Sequence, residues 1–313
     1  MAQHKLDVSE LDFDKIKVNL KTFLSSQTQF QDYDFDGAGL SVLLDILSYN
    51  THYMAYIANM SSNEMYLDSA DIRKNIVSLA KMLGYTPTSP RAPRASIDIV
   101  VNNATGSSIT MTKGTVFTTT VDSIDYQYVT NEDTTITPEN GVYKFDNVTL
   151  YEGTLVTFKY TYDASDIEQK FTIPSNSADT STLKVTVQSN ATDTTQSVYS
   201  LAGGYNSVAS DSKVYFIQEG SDNKYEVYFG DGVTGKKPID GNIVILDYVV
   251  TNGSVADGAS AFTPASAVGG YSNVTALASA SSAGGGDAES VDSIKFNAPL
   301  KYAAQGRAVT PDD

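Results

Sequence analysis

The sequence predicts an α+β protein: an N-terminal helical domain, an antiparallel β-sandwich-like domain, and a Gly/Ser/Ala-rich C-terminal connector. Three observations predict it. Apolar residues recur at helical spacing up to about residue 85, a proline cluster follows, and from Ser96 the apolar period switches to two.

In the first helix, Phe13, Ile16, Leu20, Phe23 and Leu24 share one face. Asp36-Gly37-Ala38 opens a long second helix running to about Leu67. Asp68 and Ser69 are expected to cap a third, with Ile72, Ile76, Leu79 and Leu83 on one face. Gly84 stands where a left-handed C-terminal cap belongs, and Pro87, Pro90 and Pro93 prevent continuation. The expected domains are therefore 1–85 helical, 86–95 linker, 96–266 antiparallel β, and 267–313 connector leading into a further domain.

Ile97, Ile99 and Val101 alternate with polar neighbours and begin the β region. Short runs at 115–120, 126–130, 141–145, 154–161, 184–188, 213–218, 224–229 and 243–250 follow, separated by turn residues. Beyond Thr251 the chain turns Ala-, Ser- and Gly-rich, down to Gly284-Gly285-Gly286. Residues 306–313, with Pro311 placed as in a first helical turn, read as the start of an element, so the natural polypeptide is expected to extend beyond Asp313.

Composition excludes several function classes. With 21 Lys+Arg against 37 Asp+Glu, the net charge of −16 opposes binding to a phosphate backbone, which needs clustered cations. With no cysteine there is no disulfide and no thiolate nucleophile or ligand. No apolar run approaches the roughly 20 residues that span a bilayer. Only His4 and His52 are available to a metal cluster or a catalytic triad. No cofactor, nucleic acid or membrane insertion is expected, and no enzyme.

Two motifs come close to ligand sites and fall short. Asp32-Tyr33-Asp34-Phe35-Asp36-Gly37 matches the opening of an EF-hand loop, but the twelfth position, which must supply a bidentate Glu, is Leu43. Asp36 and Gly37 are read instead as a structural motif opening the long helix. Gly230-Asp231-Gly232-Val233-Thr234-Gly235-Lys236-Lys237 is one residue from a P-loop, with Lys237 where Ser or Thr must hold magnesium. Pro238, Asp240 and Gly241 then lead into another strand, so Gly230, Asp231 and Gly232 read as a glycine-rich β-turn. Acid pairs such as Glu132/Asp133 are expected by chance among 37 acids.

Longer segments carry a resemblance. Phe30-Gln31-Asp32-Tyr33-Asp34-Phe35-Asp36-Gly37, Leu43-Leu44-Asp45-Ile46-Leu47-Ser48-Tyr49-Asn50-Thr51, Asp71-Ile72-Arg73 and Leu83-Gly84-Tyr85-Thr86-Pro87-Thr88-Ser89 resemble the baseplate wedge family of T-even-like contractile-tailed phages. Phe229-Gly230-Asp231-Gly232 and Gly285-Gly286-Asp287-Ala288-Glu289-Ser290 are similar to the wider baseplate J-like family. After the second segment that family usually carries arginines, where this chain has Lys295 and Asn297. The resemblance implies a virion protein assembled in the host bacterial cytoplasm. It also implies a subunit that pairs with itself and with other wedge, hub or sheath-initiating proteins, in a ring that triggers sheath contraction. It carries no catalytic residue. A carbohydrate- or receptor-binding tail module is the alternative, since Tyr-rich β domains bind sugars on ring faces.

The expected interface lies on the long helix. Leu40, Leu43, Leu44, Leu47, Met54, Ile57 and Ala58 form one apolar stripe, and Val42, Ile46, Tyr49, Tyr53, Tyr56 and Met60 a second on nearly the opposite side. Neighbouring helices covering one stripe each would explain both. The character of Tyr49, Tyr53, Tyr56 and Met60 favours a partner, because a tyrosine ring buries its face while its hydroxyl stays wet.

Overall fold

The computed structural model describes residues 12–30, 34–35, 39–203 and 208–304. The chain divides into two compact units, one of residues 1–85 with 291–313, the other of residues 86–290. The second is thus an insertion in the first.

In the helical unit, α1 spans Phe13–Ser25, and Asp12 caps it by accepting the N–H groups of Asp14 at 3.0 Å and Lys15 at 3.1 Å. Helix α2 spans Gly39–Asn63 and lies against α1, with Lys17 paired to Asp45. Helix α3 spans Arg73–Met82. Asp68 and Ser69 do not cap it. Glu64 reaches over instead and accepts the N–H groups of Asp71 (2.9 Å) and Ile72 (3.3 Å) and the Asn75 amide (2.7 Å). Gly84, at φ +74°, closes α3 as expected, its N–H bonded to the Lys81 carbonyl at 2.9 Å and that of Tyr85 to the Ala80 carbonyl at 3.0 Å.

Residues at the end of the chain, expected to begin a further domain, form α4 (Val291–Ala304) in this same unit. Its Ile294 and Ala298 pack on Ile76, Val77 and Ala80 of α3. Apolar residues at 294, 296, 298, 300 and 302 alternate rather than form a helical stripe, and Pro299 lies inside the helix. Local pattern therefore hid it.

The described residues of the β unit form fifteen strands. They are β1 (Arg94–Val101), β2 (Ile109–Met111), β3 (Val116–Val121), β4 (Ile124–Thr130), β5 (Thr134–Ile136), β6 (Tyr143–Glu152), β7 (Thr154–Thr161) and β8 (Phe171–Thr172). Then come β9 (Ala178–Gln188), β10 (Gln196–Leu201), β11 (Val214–Glu219), β12 (Tyr225–Phe229), β13 (Ile243–Val250), β14 (Thr263–Pro264) and β15 (Val274–Ala278). A six-stranded sheet runs β14-β3-β4-β6-β1-β15 and a seven-stranded sheet β7-β13-β9-β10-β11-β12-β8, with β2 and β5 as a separate pair. Pairing is antiparallel except between β10 and β11.

Each sheet has its own core. Ile97, Ile99, Phe117, Tyr128, Phe145 and Leu150 of the first pack with Ile109 and Met111 and with Phe262 and Val268 from the loops beside β14. Phe171, Val185, Tyr199, Tyr215, Val227, Leu246 and Tyr248 fill the second. A small cluster, Ala92, Val129 and Val249, bridges the sheets, and buried carboxylates complete the seam. Asp179 accepts the Ala92 N–H at 2.9 Å, and Glu152 accepts the Thr251 hydroxyl at 2.6 Å and the Asn252 amide at 2.7 Å.

Two compositional expectations are corrected. The proline-rich stretch 86–95 is no free linker: Ser89 and Ala92 are buried, and Arg91 and Arg94 bridge to Gly286 and Ala283. The Gly/Ala/Ser-rich stretch supplies β15, which pairs with β1, so the β unit ends at residue 290 rather than 266. Small residues are what let these backbones meet. A Cβ on Gly285 would lie 2.8 Å from both Pro93 Cγ and Ser254 Cα.

Candidate functional site

Helix α2 buries little of what its sequence offers. Leu44, Ser48 and Asn59 are its buried residues, with Leu44 and Ser48 one turn apart on a single narrow line. Val42, Leu43, Ile46, Leu47, Tyr49, Tyr53, Met54, Tyr56, Ile57 and Met60 are all exposed. The second expected stripe is therefore open, and so is the first apart from Leu44 and the half-buried Leu40. Neighbouring helices do not cover one stripe each. Tyr49 is 66% exposed, Tyr53 and Tyr56 55%, and Met60 46%. Ten large apolar side chains on one 25-residue helix exceed the scatter of single exposed apolar residues that needs no explanation.

The chemistry of α2 is that of contact. His52 is its one imidazole, and among the described residues no group of three or more His, Asp or Glu side chains is placed to hold a metal ion. No described helix is long and apolar enough to cross a membrane. Asp36 and Gly37 lie outside the described residues, and so do Asp32 and Tyr33 of the EF-hand-like opening; Leu43 is exposed on α2.

The glycine motif closes the turn after β12. Asp231 Oδ1 accepts the N–H groups of Val233 and Thr234, each at 2.9 Å, and these bonds hold its carboxyl below the usual range. Gly230 admits no side chain, since a Cβ there would stand 2.0 Å from the Thr234 carbonyl oxygen, and Gly232 has φ +92°. The segment leads from β12 to β13 with no helix to receive a phosphate. Glu132 and Asp133 are engaged separately, the first 3.7 Å from Lys184 Nζ, the second accepting the Lys113 N–H at 2.7 Å.

The β unit gives the sugar-binding alternative little surface. Among its described residues, no tyrosine belongs to the exposed large apolar side chains, and Tyr128, Tyr143, Tyr162, Tyr199, Tyr215, Tyr225 and Tyr248 are buried. What sequence reasoning missed is the polar seam. Lys113, Glu152, Asp179 and Asp247 carry no pattern along the chain that distinguishes them from surface charges.

Comparison with known proteins places α2 in context. Residues 12–85 match the family described as baseplate wedge protein gp6-like, helical domain. The baseplate wedge protein gp6 of Enterobacteria phage T4 is 28% identical over an alignment of 330 positions, covering 96% of this chain and 48% of that protein. The chain thus spans about half the length of that relative. A chain of the anti-feeding prophage (AFP) baseplate aligns over 98% of this chain and 63% of its own length, at 11% identity and a TM-score of 0.34, too slight a likeness to argue from. Residues 12–85 thus resemble the gp6-like baseplate wedge helical domain, and the chain as a whole is similar to a phage baseplate wedge protein.

Proposed function

We propose that the chain is a non-enzymatic structural subunit of a phage tail baseplate wedge. Its helical unit associates with a second copy and with other wedge proteins, building the ring around the tail hub that triggers sheath contraction. The observation that carries this reading is α2, with apolar residues exposed on two sides in the segment that matches the wedge domain. A helix open on two sides serves as the centre of a bundle completed by partner chains. If Tyr49, Tyr53 and Tyr56 each bury about 100 Å² against a partner, together they supply on the order of several kcal/mol before association costs.

The test replaces Tyr49, Tyr53 and Tyr56 together with Ser and follows self-association and wedge assembly by sedimentation. Loss of assembly with an unchanged circular-dichroism melt supports the reading. An unchanged assembly state would remove α2 from the interface.

A further inference from the structure

The seven-stranded sheet ends in two very different edges. At one end β8 has two residues. At the other, β7 has eight, paired with β13 from Thr154↔Val250 to Thr161↔Ile243 with no register shift. The ends of the six-stranded sheet are shorter, two residues in β14 and five in β15. An edge strand is ordinarily blunted by a proline, a bulge or several charges. Strand β7 has none of the first two and one charge, Lys159. Exposure is continuous over its centre, at Thr157, Phe158 and Lys159. Its beginning is occupied: the Gly153 N–H donates to the Gln127 carbonyl at 2.9 Å and the Gln127 amide to the Thr154 hydroxyl at 2.5 Å. Its end is occupied as well, since the Thr161 carbonyl accepts the Gln169 amide at 3.4 Å, and the free edge is therefore 155–160.

We propose that this edge pairs with β7 of a second copy, antiparallel about a two-fold axis through Phe158, joining two seven-stranded sheets into one. The sequence of the strand selects this partner and register. A two-fold axis perpendicular to a sheet keeps each face on its own side, so directly opposed residues must have the same parity. The axis therefore passes through a residue rather than between two. Centred on Lys159, the pairing would oppose two lysines, which is destabilising. Centred on Thr157, it would oppose Tyr160 to Thr154, which Gln127 holds, and so leave Tyr160 without an aromatic or aliphatic partner. Centred on Phe158, it opposes Phe158 to Phe158, Val156 to Tyr160 and Thr157 to Lys159, all within the free edge. One face then gains an unbroken aromatic and aliphatic ladder, already begun by the Phe158–Tyr160 ring contact at 5.0 Å. The inference rests on the reading of the chain as a self-associating subunit, but it uses a surface other than α2.

Because the chain has no cysteine, single cysteines report the register directly. Directly opposed residues have Cα atoms about 4.5–5.5 Å apart, within disulfide range, while a one-pair diagonal offset leaves roughly 7–8 Å. In the full chain, Phe158→Cys with a mild added oxidant is expected to give a disulfide dimer at least about tenfold more abundant than Thr157→Cys or Lys159→Cys. Thr157→Cys and Lys159→Cys combined in one chain should cross-link again, which covers the case of a Phe158→Cys variant that folds poorly. A monomeric Phe158→Cys that retains its melt, or equal cross-linking at all three single positions, overturns the proposal. So does capture of an extended segment of another protein by β7 in place of its own copy. Association through α2 brings copies together without opposing Phe158 to itself, so the cross-link and the triple tyrosine substitution fail independently.

Discussion

Lys113 Nζ, in the turn between β2 and β3, lies 2.6 Å from Oδ2 of Asp247 on β13. The pair is lopsided: the Asp247 side chain is 4% exposed and that of Lys113 40%. The Thr157 hydroxyl is the other partner of the carboxylate. Replacing Lys113 with Met strands a charge that water cannot reach, for about 2–3 kcal/mol once the exposure of the lysine is allowed for. Asp247→Asn keeps a bond to Thr157 and leaves Lys113 free to turn outward, for about 1 kcal/mol. Urea unfolding should show the lysine variant as the worse of the two and the double variant close to Asp247→Asn. Equal single losses would mean that the pair contributes nothing to the seam.

Asp179 is fully buried and held by neutral donors; it accepts N–H groups from Ala92 (2.9 Å) and Ser181 (2.8 Å) and the Ser181 hydroxyl (2.6 Å). Asp179→Ala orphans the buried Ala92 amide and the part-buried Ser181 amide, and a loss of about 1–3 kcal/mol is expected. Hydrogen exchange should speed at Ala92 first, since its N–H has lost its acceptor. An unchanged Ala92 rate would show the bond to be dispensable.

Two glycines with positive φ separate strain from collision. Gly241, at φ +79°, has open space where a Cβ would go, so Gly241→Ala should cost only about 1–2 kcal/mol of backbone strain. Gly153, at φ +115°, would place its Cβ 2.0 Å from the Val250 carbonyl oxygen, between β6 and β13. Gly153→Ala should cost about 3 kcal/mol or more, since backbone must move. Thermal melts of the two variants give the order, and a milder Gly153→Ala would contradict the packing.

Glu64 makes the start of α3 sensitive to acid. Burial pushes its carboxyl up, but the bonds from Asn75, Asp71 and Ile72 together outweigh it, and the net shift is below the ordinary 4.5. A depressed folded value means that the stabilisation is complete above about pH 4.5 and is lost as pH falls through the lower folded value. Glu64→Gln should flatten this acid limb of the stability profile of the helical unit while shifting it little at neutral pH. An unchanged acid limb would show that other carboxylates dominate it.

Legibility followed the range of the interactions. The runs read at 154–161 and 243–250 coincide with β7 and β13, because each is a short run rich in β-branched and aromatic residues. Helix α3 was legible through its face and its Gly84 cap, yet its N-terminal cap was not, since Glu64 reaches it across a loop. Of the residues singled out on α2, the tyrosines and Met60 lie where the helical period puts them. Their exposure depended on which neighbours arrived, and periodicity does not encode neighbours.

By itself the sequence determined the α+β order, the helical face patterns, most strands and the turn at Gly230-Asp231-Gly232, because each depends on residues within a few positions of one another. Tertiary structure decided the rest. It brought Arg94 to Ala283 and Lys113 to Asp247, gave the chain's Gly-rich stretch a place beside β1, and left most of both stripes of α2 uncovered. Contacts between segments so far apart in the chain depend on shape and on buried hydrogen bonding, and neither leaves a periodic trace.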